Sequence, residues 1–170
     1  MFSSRLPNKL VNFGPLFLLY YLSISEIDTH YENYFEILSF NLQLIIIYFW
    51  VLKSQKKLGN GHIFFAGLIN DVILGFPLGI SSLTYLIVSL VATYIKNMTV
   101  HTTIASDWFT FLIALSLSNL IFYLLASHFS EISVNITEMS YNTFFTLIFF
   151  PFFWLFFSYY SGFVRVSKNA

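Results

Sequence analysis

The chain has 170 residues, of which 57% are hydrophobic, 21% aromatic and only 9% charged, whereas an ordinary soluble domain carries about 25% charged residues. Eight Lys+Arg and eight Asp+Glu are too few to solvate a globule this apolar, so a water-soluble fold is excluded. The zero formal net charge offers no basic patch for nucleic acid, and the absence of cysteine removes disulfides, thiolate nucleophiles and cysteine-based metal sites.

Six bilayer-crossing helices of roughly 20 residues use about 120 residues and leave about 50 for loops and tails. The sequence is therefore read as one all-α integral membrane domain over 1–170, with spans at about 10–27, 37–52, 61–76, 80–95, 107–126 and 141–163. The first span has a second reading. Arg5 and Lys9, an apolar run and then Ser23-Ile24-Ser25 follow the order of a cleavable signal peptide. Glu26 directly after the small residues, and a remainder that is itself all membrane, favour an uncleaved span. The second span is short, and Asn41 and Gln43 weaken it, but the run Leu44-Ile45-Ile46-Ile47-Tyr48-Phe49-Trp50 keeps it credible. Little more than Phe76-Pro77-Leu78-Gly79 joins the third and fourth spans, which predicts a tight helical hairpin. Pro77 is expected to end the third helix and Gly79 to supply the permissive turn. Pro151 lies inside the sixth span and should kink it, with neighbouring helices satisfying the freed carbonyl.

Charge tests this layout. Arg5 and Lys9 precede the first span, Lys53, Lys56 and Lys57 follow the second, Lys96 the fourth, and Arg165 and Lys168 the sixth. With six spans all of these share one side, as the positive-inside rule requires, so both termini are read as cytoplasmic. Glu26, Asp28, Glu32, Glu36, Glu131 and Glu138 fall on the opposite side. Tyr34, Trp50, Trp108, Tyr141, Tyr159 and Tyr160 lie near span ends and read as interfacial anchors. Asn97-Met98-Thr99 and Asn135-Ile136-Thr137 match the glycosylation sequon and are treated as chance matches.

Ionisable groups inside a bilayer are costly and are sites by default. Asp71 is the one placed well inside a span. Gly67, Asp71 and Gly75 recur every four residues along one helix face, and small residues at that spacing admit a neighbouring backbone. Asp71 has two readings: a proton, ligand or partner contact, or a carboxylate bracing the hairpin turn. Asn70 lies beside this face. Ser82, Tyr85 and Ser89 on span four, and Ser116, Asn119 and Tyr123 on span five, read as interhelical cross-links or as the lining of a polar cavity. Asp107 fits a helix N-cap or first-turn carboxylate. His30, His62, His101 and His128 show no ligand spacing, and no H-E-x-x-H, G-x-S-x-G or Walker motif occurs. No catalytic apparatus and no cofactor are implied.

The stretch Gly67-Leu68-Ile69-Asn70-Asp71-Val72-Ile73-Leu74-Gly75-Phe76-Pro77-Leu78-Gly79, continuing Ile80-Ser81-Ser82-Leu83, resembles the rod shape-determining protein MreD family. Its pattern G-L-x-x-D-x-x-x-G-x-x-L-G is matched at every fixed position. The resemblance implies a non-enzymatic bacterial inner-membrane component of the wall-elongation machinery. It would bind a single-span MreC-type partner beside the MreB filament, the RodA glycosyltransferase and a penicillin-binding transpeptidase. It also implies a six-helix fold like the substrate-binding subunits of energy-coupling-factor vitamin transporters, and makes Gly67, Asp71, Gly75, Pro77 and Gly79 the candidate partner and packing residues. Many members end in a denser basic tail than Arg165 and Lys168 provide. The alternative is a vitamin-like ligand-binding transporter subunit, for which Tyr85, Asn119 and Asp71 would supply the polar groups. The bulky Phe17-Leu18-Leu19-Tyr20-Tyr21 on the first span argues against the small-residue docking stripe that such a subunit needs.

Overall fold

The computed structural model describes residues 5–25, 41–54, 58–98, 103–129 and 135–169, with side chains over 13–25, 41–53, 58–98, 103–129 and 135–162. Glu26, Asp28, His30, Glu32, Tyr34, Glu36, Lys56, Lys57, Thr99, His101 and Glu131 lie outside these residues, as do the side chains of Arg5, Lys9, Arg165 and Lys168. The described chain is all-helical. It comprises α1 (Arg5–Ser25), α2 (Leu42–Ser54), α3 (Asn60–Leu74), α4 (Ile80–Met98), α5 (Ile104–Phe129) and α6 (Ile136–Asn169).

α2 sits at the centre. Every residue from Gln43 to Leu52 is buried, the behaviour of a helix that is apolar all round. It packs against α4, α1 and α6, while α4 also packs against α3 and α5. The two residues that weaken α2 in sequence have structural duties. Asn41 caps the helix by accepting the Leu44 N–H at 3.1 Å, and Gln43 bonds to α3 and α4. α2 carries the aromatic core: Tyr48 meets Phe111 and Phe150 edge-on, while Trp50 meets Phe157 and Tyr160. Trp50 and Tyr160 are therefore core contacts rather than interfacial anchors. Tyr160 also reaches across to α1, where the Gly14 backbone leaves room for its hydroxyl.

α5 and α6 are long and apolar enough to cross a membrane, over Ile104–Phe129 and Ile136–Gly162. Their outer faces show Phe109, Ile113, Leu120 and Leu124 on α5, and Phe144, Ile148, Phe152 and Phe156 on α6. Meanwhile Gln43, Asn70, Asp71, Ser81, Ser82, Thr84, Ser89, Asp107, Ser118 and Thr146 are buried. An apolar outer face over an interior that adds these hydrogen-bonded polar groups to its apolar core suits hydrocarbon as the surrounding solvent. α6 continues through Pro151. A proline there lacks the N–H that would bond the carbonyl four residues back. The Trp108 indole of α5 donates to that carbonyl, Leu147 O, at 3.0 Å. Trp108 therefore compensates for the proline. At the start of α6, Asn135 accepts the Thr137 N–H at 3.0 Å and donates to Glu138 at 2.7 Å, a helix-capping arrangement.

A carboxylate-braced helical hairpin as the candidate functional site

The α3–α4 hairpin explains the glycines and the aspartate of the sequence motif one at a time. At Gly67 a Cβ would lie 2.4 Å from Ser82 Cα and 2.5 Å from Ser82 N. The backbones of α3 and α4 thus touch where no side chain fits. The hydroxyl of Ser82 donates to Phe64 O at 3.0 Å and that of Ser89 to Asn60 Oδ1 at 2.9 Å, which fastens the pair along its length. Gly75 has a different task. It adopts φ 70°, and no atom lies within 4 Å of its would-be Cβ. It is the left-handed cap that ends α3. The helix therefore stops two residues earlier than Pro77 would dictate, and the proline follows the stop. Gly79, at φ 108°, holds the second positive-φ position, immediately before α4.

Asp71 ties the two helices together from both its backbone and its side chain. Its carbonyl accepts the Phe76 N–H at 2.9 Å, closing α3 in the manner of a Schellman turn. Its carboxylate opens α4: Oδ2 accepts the Gly79 N–H at 2.7 Å and Oδ1 the Ser81 N–H at 2.8 Å. The residue at the start of α4 is a glycine, which has no side chain to cap with. Asp71, eight residues earlier, supplies the missing acceptor. Negative charge there also meets the positive end of the α4 dipole. With 0% exposure and both oxygens hydrogen-bonded, Asp71 has the geometry of a brace.

A buried polar chain extends from this brace into the core. Tyr85 donates to Gln43 Oε1, Gln43 Nε2 donates to Asn70 Oδ1 at 3.3 Å, and Asn70 Nδ2 donates to Ser81 Oγ at 3.3 Å. Ser82, Tyr85 and Ser89 thus cross-link α4 to its neighbours. On α5, Asn119 donates to Thr143 of α6 at 2.6 Å, whereas Ser116 is exposed. Tyr85, Asn119 and Asp71 are each engaged within the bundle and do not converge on one ligand.

Asp107 lies in the first turn of α5, one of the two places its sequence position suggested, but its burial and its partners on other helices were not foreseen. Asp107 is 0% exposed, and the capping of α5 belongs to Thr103, whose hydroxyl accepts the Ser106 N–H at 3.2 Å. Asp107 instead accepts the Trp154 indole N–H at 2.8 Å and lies 3.8 Å from Lys53 Nζ. That ammonium sits 5.1 Å from the Trp154 ring centre. Three helices are joined there by side chains 47 to 101 positions apart along the chain. The acidic residue beside Trp108 at the head of an apolar run was the available signal, but nothing local pointed to Lys53 or Trp154. Of the histidines, His62 Nδ1 lies 3.2 Å from the Tyr20 hydroxyl, and His128 packs edge-on against Phe129 at the end of α5.

The helical bundle with its braced hairpin and lipid-compatible exterior defines the class as a helical membrane protein without strands among the described residues. The model of the rod shape-determining protein MreD family matches residues 8–160, and the chain belongs to that family of structural, shape-determining membrane proteins. No curated protein and no solved structure matches it.

Proposed function

We propose that the chain crosses the bacterial inner membrane six times with both termini cytoplasmic, and serves the wall-elongation machinery as a non-enzymatic scaffold. In this reading it binds an MreC-type single-span protein and helps to sustain peptidoglycan synthesis beside MreB, RodA and a penicillin-binding transpeptidase. Its six helices would share the arrangement of vitamin-transporter binding subunits. Membership of the rod-shape family carries the proposal. The hairpin geometry supports it in a particular way. Gly67 and Asp71 fix the hairpin from within, Gly75 and Gly79 set its turn through their positive φ, and the turn holds out Leu78, 70% exposed, beside a half-buried Pro77. In this reading the partner-facing part of the motif is its tip, and the glycines and Asp71 fix the tip's form.

Depletion in a rod-shaped host tests the function. Cells are expected to round up as wall synthesis at the side wall falls, and photocrosslinkers at hairpin positions exposed to the outside should capture a single-span partner. Depleted cells that stay rod-shaped at an unchanged rate of wall synthesis contradict it.

A further inference from the structure

Ionisable side chains within a bilayer almost always face protein or a water-filled cavity rather than lipid. His62 is an exposed one. It stands on α3 with its Nδ1 3.2 Å from the Tyr20 hydroxyl of α1, and its Nε2 has no hydrogen-bond partner among the described residues. Two routes give the depth of this pair. Along α4, Lys96 reaches Val51 O, and Ser89 bonds Asn60, the first residue of α3. Those two contacts are seven residues apart, about 10 Å along a helix. Along α1, Gly14 lies against Tyr160, whose ring packs on Trp50, and Tyr20 comes six residues later, about 9 Å further on. Both routes place the pair roughly 10 Å inward of the lysine end of the bundle, within the hydrocarbon in the six-span reading.

From His62 an exposed stripe runs up α3 towards the hairpin. Phe65 is 58% exposed and Val72 67%, with a half-buried Ile69 between them. Positions 62, 65, 69 and 72 thus keep the helical spacing of a face that another helix can cover. Thirteen residues separate His62 from Gly75, about 20 Å. Added to the roughly 10 Å below His62, this spans a hydrocarbon core about 30 Å thick.

We infer that the transmembrane helix of a partner docks along this stripe and meets His62 Nε2 with a polar side chain in its cytoplasmic half. Acyl chains can cover Phe65, Ile69 and Val72, but they offer His62 neither donor nor acceptor. An interhelical hydrogen bond supplies one. A helix laid along α3 also emerges beside the hairpin tip, where the single-span partner is expected. The inference deepens the proposed function and rests on it for the kind of partner, and on the six-span reading for the depth.

Photocrosslinking in bacterial membranes provides the test, with p-benzoylphenylalanine at positions 65 and 72 and, as controls, at positions 113 and 120 on the outer face of α5. Positions 65 and 72 should give one adduct, severalfold above the controls, whose peptide map places the link in the membrane segment of a single-span protein. Yields are compared per amount of chain in the membrane. His62→Leu should cut the yield about fivefold or more, whereas His62→Gln, which can still hydrogen-bond, should keep most of it. Equal yields at 65 and 113, adducts with phospholipid alone, or unchanged capture in H62L overturn the inference. So does His62→Cys reacting with a water-soluble maleimide in opened membranes as fast as a thiol at position 55, because water then covers the site. Failure of the proposed function looks different: the helix is captured at 65 and 72, yet depleted cells keep their shape. Capture at position 78 alone leaves that function standing and removes the docking stripe.

Discussion

The two ends of the bundle each bury a carboxylate, and they hold it in opposite ways. At the hairpin, Asp71 is bound by two backbone N–H groups only eight and ten residues away. At the other end, Asp107 is bound by the side chains of Trp154 and Lys53, drawn from two other helices. The polarity of the helices matches this division. Asp71 stands at the N-terminus of α4, while near the α4 C-terminus Lys96 donates at 3.4 Å to Val51 O of α2, two residues before Lys53. A carboxylate bound by local backbone needs glycines at fixed spacing and so leaves a motif in the sequence. One bound by distant side chains leaves no local pattern.

That difference predicts a ranking of damage. The largest effect should come from Gly67→Leu. Its side chain meets the Ser82 backbone, which cannot swing aside, so the cost should exceed about 3 kcal/mol, the upper end for ordinary overpacking. The variant should fail to accumulate in membranes, as seen by quantitative immunoblot. Asp71→Ala comes next. It strips the acceptor from two buried N–H groups, at about 2–4 kcal/mol in total, and should lower the detergent melting temperature steeply. Asp71→Asn should cost less, because its one carbonyl oxygen still accepts one of the two bonds. An Asp71→Asn protein of unchanged stability that no longer supports rod shape would instead assign Asp71 to partner contact.

Gly79→Ala should cost about 1–3 kcal/mol through backbone strain at φ 108°, without affecting the Asp107 end. The smallest effect belongs to the ion pair. Lys53 is 28% exposed, so a double-mutant cycle of Lys53→Met and Asp107→Asn should give a coupling of about 1 kcal/mol or less. That coupling should shrink at high salt. A coupling above about 3 kcal/mol would mean that the pair is sealed from water and acts as a principal fastening.

Much of the helical layout was legible because apolar runs and charge clusters alternate along the chain. The hairpin was legible because Gly67, Asp71, Gly75 and Gly79 must occur at fixed distances. The separate tasks of those glycines were not. The same spacing that reads as one small-residue face resolves into a backbone contact at Gly67 and a helix-ending turn at Gly75. Gln43 looked like a flaw in a short span, because its value depends on Asn70 and Tyr85, 27 and 42 residues away. Trp50 and Tyr160 sat where anchors sit, yet they pack against each other, and Trp50 also against Phe157. Trp108 also looked like an anchor, until the carbonyl freed by Pro151 gave its indole a partner. In each case the missing information was tertiary.

The central claim, a chain threaded six times through lipid with its basic loops inside, is open to a direct measurement because the sequence contains no cysteine. Gln55→Cys and Ser133→Cys place single thiols in the α2–α3 and α5–α6 connections. A membrane-impermeant maleimide applied to intact spheroplasts should label residue 133 at once and residue 55 only after the membrane is opened. Labelling of residue 55 from outside would contradict the threading.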